Sequence, residues 1–78
     1  MKIFIGNLDE KIQSTHLKEA FQEYGEVSSA KVVTDRRTGK SKGFGFVEMP
    51  NDGDAQKVIS TINGGTWEGK VITVRVAY

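Results

Sequence analysis

The sequence predicts an α+β fold: a two-layer β-α-β-β-α-β sandwich with two helices on one face of a four-stranded antiparallel sheet. Three observations lead there. Four segments alternate apolar and polar side chains in the strand period, and two others space their apolar residues for one face of a helix. Clusters of Gly, Asn, Asp and Pro punctuate the joins. No segment repeats, and none is of low complexity, so residues 1–78 read as one domain.

The elements follow in order. Lys2-Ile3-Phe4-Ile5-Gly6 alternates β-branched and aromatic residues and reads as the first strand. After Asn7–Lys11, Ser14 and Thr15 offer a helix N-cap, and Leu17, Ala20, Phe21 and Tyr24 form one helical face that Gly25 ends. Residues 27–34, rich in Val and Ala, form the second strand. The polar loop Asp35–Ser41 leads to a third, Lys42–Met49. Pro50-Asn51-Asp52-Gly53 breaks the chain and caps a second helix, whose face is Ala55, Val58, Ile59 and Ile62 and whose stop is Asn63-Gly64-Gly65. A turn region carrying Trp67 and Gly69 precedes the last strand, Val71–Ala77.

Composition narrows the chemistry. Hydrophobic residues make up 37% and charged ones 27%, the balance of a globular domain. No apolar run approaches the roughly 20 residues of a membrane span. Met1 runs straight into a strand without a basic-then-apolar leader, so a cytoplasmic location is expected. Cysteine is absent, which excludes disulfides, thiolate-bound metals and thiol catalysis. His16 is the only histidine; it sits on the polar side of the first helix and reads as a solvated residue, not a ligand. The net charge of +1 conceals segregation. Residues 31–43 hold Lys31, Arg36, Arg37, Lys40 and Lys42 against Asp35, a net +4 that leaves −3 on the rest. Such a basic segment suits an anionic partner, or a solvated loop.

The uncovered sheet face decides between them. Alternation sends Ile3, Ile5, Val47, Met49, Ile72, Val74 and Val76 toward the helices, and Phe4, Phe44 and Phe46 to the opposite side. With the first and third strands adjacent, the three rings make one exposed aromatic platform, which calls for a partner.

At these residues the chain resembles the RNA recognition motif family, whose fold is the ferredoxin-like sandwich above. Ile3-Phe4-Ile5-Gly6-Asn7-Leu8 matches its hexapeptide, and Lys42-Gly43-Phe44-Gly45-Phe46-Val47-Glu48-Met49 its octapeptide, with Met49 where the family usually has Phe or Tyr. The departure falls on a core-facing position and leaves the open face intact. The resemblance extends over essentially the whole chain, points to the small single-domain members of bacteria, and implies binding of single-stranded RNA without catalysis, cofactor or metal. Single-stranded DNA is expected to bind too, because rings do not sense the 2′-hydroxyl.

The resemblance also implies roles. Phe4 and Phe46 each stack a base, and Phe44 meets sugar or packs between nucleotides. Lys42, on the side of Phe44, meets a phosphate, and Arg36, Arg37 and Lys40 pin the backbone from the flanking loop. Lys31, Val33, Thr73 and Arg75 line the floor. Asn7, Ala77 and Tyr78 are candidates for base-edge contacts. Gly43 and Gly45 leave room beside the rings and let a helix approach the back of the strand. Glu48 faces outward beside the platform, Trp67 reads as packing at the end of the core, and Glu19, Glu23, Asp52 and Asp54 make the helix side acidic.

Other classes fit less well. A metal carrier on this topology needs paired cysteines. An acylphosphatase-like enzyme needs an anion-cradling loop where this chain has Asn7-Leu8-Asp9-Glu10. Gly39-Lys40-Ser41 lacks the earlier glycine of a phosphate-binding loop, and Gly43-x-Gly45 the third glycine of a dinucleotide site. A protein-binding domain that uses the rings or the helices is the remaining rival. The expected state is a monomer.

Overall fold

The computed structural model describes residues 1–77. Its elements are β1 (Lys2–Gly6), α1 (Ser14–Gln22), β2 (Ser29–Thr34), β3 (Ser41–Glu48), α2 (Asp52–Ile62), β4 (Thr66–Trp67), β5 (Lys70–Val71) and β6 (Thr73–Ala77). The main sheet runs β2-β3-β1-β6, all antiparallel, and the expected two-layer sandwich is observed. α1 packs on β2 and β3, while α2 packs on β6.

The core lies between the layers. Ile3, Ile5, Val32, Val47 and Val74 from the sheet meet Leu17 and Phe21 of α1 and Ala55 and Val58 of α2. Leu8 and Ile12 close the β1–α1 end, and Met49 is fully buried just beyond β3, as alternation required. Val76, assigned to the core, is only half-buried, near the end of the edge strand β6, where no further strand flanks it on the outer side.

The helix ends differ from the sequence expectation. Gln13, not Ser14 or Thr15, is the N-cap of α1. Its backbone N–H donates to Nδ1 of His16 at 3.0 Å, so the lone histidine has a capping role that its solvated position did not reveal. Ser14 is instead the first helical residue, and its Oγ accepts from the Val32 N–H at 2.9 Å. That bond falls where the β2–β3 ladder shifts register between Val32 and Thr34, so the hydroxyl satisfies an amide beside the irregularity and ties α1 to β2. α1 ends at Gln22, before Gly25. The place of Gly25 is steric: an added Cβ would overlap the Asp54 side chain of α2. At α2 the expected cap is present, with Asn51 Oδ1 accepting from the Asp54 N–H at 2.9 Å.

The last strand is interrupted. β4 and β5 form a separate hairpin, Thr66 opposite Val71 and Trp67 opposite Lys70, and β6 begins only at Thr73. Ile72 turns into the core between them, its N–H donating to Gly65 O and its carbonyl accepting from the Gly64 N–H. Trp67 packs half-buried against the core, as expected.

Candidate nucleic-acid interface

The register that makes β1 the neighbour of β3 and β6 builds the open face. Phe4 pairs with Phe46 on one side and Arg75 on the other, and Phe46 pairs in turn with Lys31. One level thus runs Lys31, Phe46, Phe4, Arg75 straight across four strands, a span of roughly 14 Å at the usual strand spacing. The next level brings Phe44 opposite Gly6, and Gly6 opposite Thr73. On the other side Glu48 faces Lys2 and Ser29, and Lys2 faces Ala77.

The three rings touch. Phe4 lies 5.9 Å from Phe44 at a tilt of 32° and 5.8 Å from Phe46 edge-on, and Phe44 meets Phe46 at 6.2 Å and 87°. These separations are those of favourable aromatic pairs. The rings, expected to be exposed, are half-buried, because each covers part of the others. Two cations cover more: Lys2 Nζ sits 4.7 Å from the Phe46 centroid, and the Arg75 guanidinium 5.0 Å from that of Phe4. Lys2 was missed at the sequence level, although the alternation that put Phe4 outward puts Lys2 outward as well. Phe46 divides two shallow hollows, one of about 370 Å³ toward Arg75, Val76 and Ala77, the other of about 210 Å³ toward Lys2, Lys31 and Glu48.

Three glycines make the arrangement possible. A Cβ at Gly6 would strike the Phe4 ring at 2.8 Å. At Gly45 it would meet Lys31 O at 2.5 Å and Leu17 Cδ1 at 2.9 Å, the close approach of β2 and α1 to the back of β3. Gly43 has φ +84°, a left-handed conformation that costs glycine little, and its carbonyl accepts from the Leu8 N–H at 2.8 Å.

The remaining site residues are dispersed. Thr73 and Lys31 are exposed on the floor and Val33 is half-buried there. Lys42 is exposed but, preceding the left-handed Gly43 within β3, lines a polar hollow at the sheet's end with Asp9, Glu10 and Lys70. Asn7 adopts φ 60° and donates from Nδ2 to Val71 O at 2.6 Å, so its amide holds the end of β1 to β5. Arg36, Arg37 and Lys40 are exposed on a turn organised by Asp35, whose Oδ1 accepts from the N–H groups of Arg37 and Thr38 and whose backbone pairs with Gly39 and Lys40. The cations seated on rings are Lys2 and Arg75, not those of the turn. Tyr78 lies outside the described residues.

An open sheet bearing an aromatic trio between cations defines a class of nucleic-acid-binding domain, and the family model described as the RNA recognition motif matches residues 3–73. The chain belongs to that family. Among its relatives, RNA-binding protein CP31B of the Arabidopsis thaliana chloroplast is 43% identical over 76 residues, which is 97% of this chain and 26% of that protein. The Nostoc protein RbpE is 39% identical over 99% of this chain and 78% of its own length. The chain spans about a quarter to a third of the chloroplast relatives it matches. Among solved structures, RNA Binding Protein PG1 superposes with a TM-score of 0.96 at 42% identity, covering 99% of this chain and 93% of that one. The second domain of the yeast poly(U)-binding protein superposes at 0.90 with 28% identity.

Proposed function

We propose that the chain binds single-stranded RNA by stacking bases on Phe4 and Phe46, with Phe44 against the sugar and cations around the rings holding phosphates. The observation that carries this reading is the transverse row Lys31-Phe46-Phe4-Arg75 on the sheet face opposite the one that α1 and α2 cover. Membership of the family and the relative named as an RNA-binding protein support RNA as the partner. Stacking is nearly indifferent to sequence and contributes about 1–3 kcal/mol per base. Lys2 and Arg75 rest on the ring faces in the free protein, so an incoming base displaces them, and they swing onto the flanking phosphates. Arg36, Arg37, Lys40 and Lys42 extend the basic path beyond the sheet. Thr73 lines the floor with Lys31 and Val33, and Asn7, Ala77 and Tyr78 are the candidates for base-edge contacts. Single-stranded DNA binds by the same stacks, and the domain acts as a monomer without cofactor, metal or catalysis.

One platform gives a modest affinity, near micromolar, for a site of about two to four nucleotides. Calorimetric titration with short single-stranded RNAs tests the reading. Binding below about 1 mM, roughly −4 kcal/mol, is expected. Its absence for every such RNA, or preference for a duplex, whose paired bases cannot reach the rings, overturns it.

A further inference from the structure

A groove of about 430 Å³ opens between α1 and the β4–β5 hairpin, lined by none of the platform residues. Its floor is apolar, formed by buried Ile12 and the half-buried Trp67 indole. Its rim is acidic. Glu19 projects from α1, Glu23 from its C-cap and Glu68 from the hairpin turn, all exposed, with Lys11 as the opposing cation. Among the described residues none of the three carboxylates has an ion-pair partner.

Two local costs converge on this rim. Glu23, the C-cap of α1, follows Glu19 by four residues in helical backbone geometry, a spacing at which like charges destabilise a helix. Glu68 has φ 51° and precedes Gly69 at φ 79°, the conformation of a two-residue hairpin turn in which Asn, Asp or Gly is strongly preferred. A left-handed glutamate is an expensive way to turn a hairpin. Local rules broken together at one hollow mark a site whose purpose lies outside folding.

We propose that this groove binds a basic peptide segment of a protein partner. An arginine guanidinium stacks on the Trp67 indole, where its apolar stem also covers Ile12, and neighbouring basic side chains pair with Glu19, Glu23 and Glu68. Charge decides the occupant: three free carboxylates repel phosphate and select cations. The surface is separate from the rings, so the peptide and a nucleic acid can be held at once, and this inference does not depend on what the rings bind.

Trp67 is the only tryptophan, so its emission reports the groove directly. The probe is a nine-residue peptide alternating Arg and Gly with blocked termini, titrated into the full chain at low salt. A saturable change in Trp67 emission is expected, weakening as salt rises. The triple variant E19Q/E23Q/E68Q should keep the parent's circular dichroism and bind about tenfold more weakly. Replacing Arg by Lys in the peptide should also weaken binding, because the planar cation is the better partner for indole. Glu68→Asn separates site from scaffold: the relaxed turn should raise the melting temperature while peptide affinity falls. The proposal is overturned by an emission unchanged at 1 mM peptide, by a triple variant that binds like the parent, or by an E68N protein with unaltered affinity.

Discussion

Phe4 leans along its strand over residue 6, which is glycine, and that small vacancy sets the geometry of the whole ring cluster. Any Cβ at Gly6 would push the Phe4 ring off its position and away from Phe44. Gly45 is constrained from behind, since its Cβ would collide with the Lys31 carbonyl, a backbone atom that cannot yield cheaply. Gly45→Ala should therefore lower stability by about 1–3 kcal/mol in urea denaturation. Phe46→Ala should act in the opposite register. The domain should stay folded, while RNA affinity drops by about 1–3 kcal/mol, equally at low and high salt, because a ring releases no counterion. A folded Phe46→Ala protein that binds RNA as well as the parent refutes the stacking role.

At the scale of elements, the β2–β3 turn and the start of α1 show how loops are held. Asp35 closes the turn through the Arg37 and Thr38 amides, so Arg36, Arg37 and Lys40 leave from a framed loop, not a slack one. If they meet phosphates, the R36A/R37A/K40A protein should lower the slope of log K against log[salt] by about 0.7 for each phosphate it no longer neutralises, with base preference unchanged. An unchanged slope assigns the turn to solvent. Ser14 joins α1 to β2 through a single hydroxyl. Ser14→Ala strands the part-buried Val32 amide and should cost about 1–2 kcal/mol in thermal or urea unfolding, with RNA affinity unaltered in the folded protein.

Considered as a whole, a domain this small has a thin margin. Phe21, fully buried between α1 and the sheet, contributes a large share of it. Phe21→Ala should cost about 3–5 kcal/mol, comparable to the entire stability of a marginal domain, and leave the chain largely unfolded by circular dichroism. A bound RNA should act against such losses. At a hundredfold excess over its Kd it adds about 2.7 kcal/mol, read as a concentration-dependent rise in melting temperature. Charge is also arranged on this scale. Among the described residues Lys2, Lys31 and Arg75 share the open face with one outward carboxylate, Glu48, while Glu19 stands on α1 and Glu23 at its C-cap. A polyanion is steered to the sheet and kept off the helices.

Period-2 alternation by itself determined which side of each strand faces the helices, because a strand's pleat is local and one residue's slip would bury the wrong set. Hence Ile3, Ile5, Val47, Met49 and Val74 in the core, and Phe4, Phe44 and Phe46 outside it, could be read from the chain, as could the two motifs that mark the family. The start of α1 was less legible than that of α2, since Gln13, Ser14 and Thr15 are all able to cap and only the packed neighbours select among them. The β4–β5 hairpin was hidden because its two-residue strands are too short to show a period and its turn carries Glu where Asn is usual. What only the tertiary structure decided is which distant groups meet. The seat of Arg75 on Phe4, the tie from Asn7 to Val71, the Ser14–Val32 bond and the groove beneath Trp67 all join residues far apart in sequence. Such pairs depend on the register of β1 against β6 and on how α1 lies across the sheet. Neither leaves a local pattern, because both are set by the packing of the whole core.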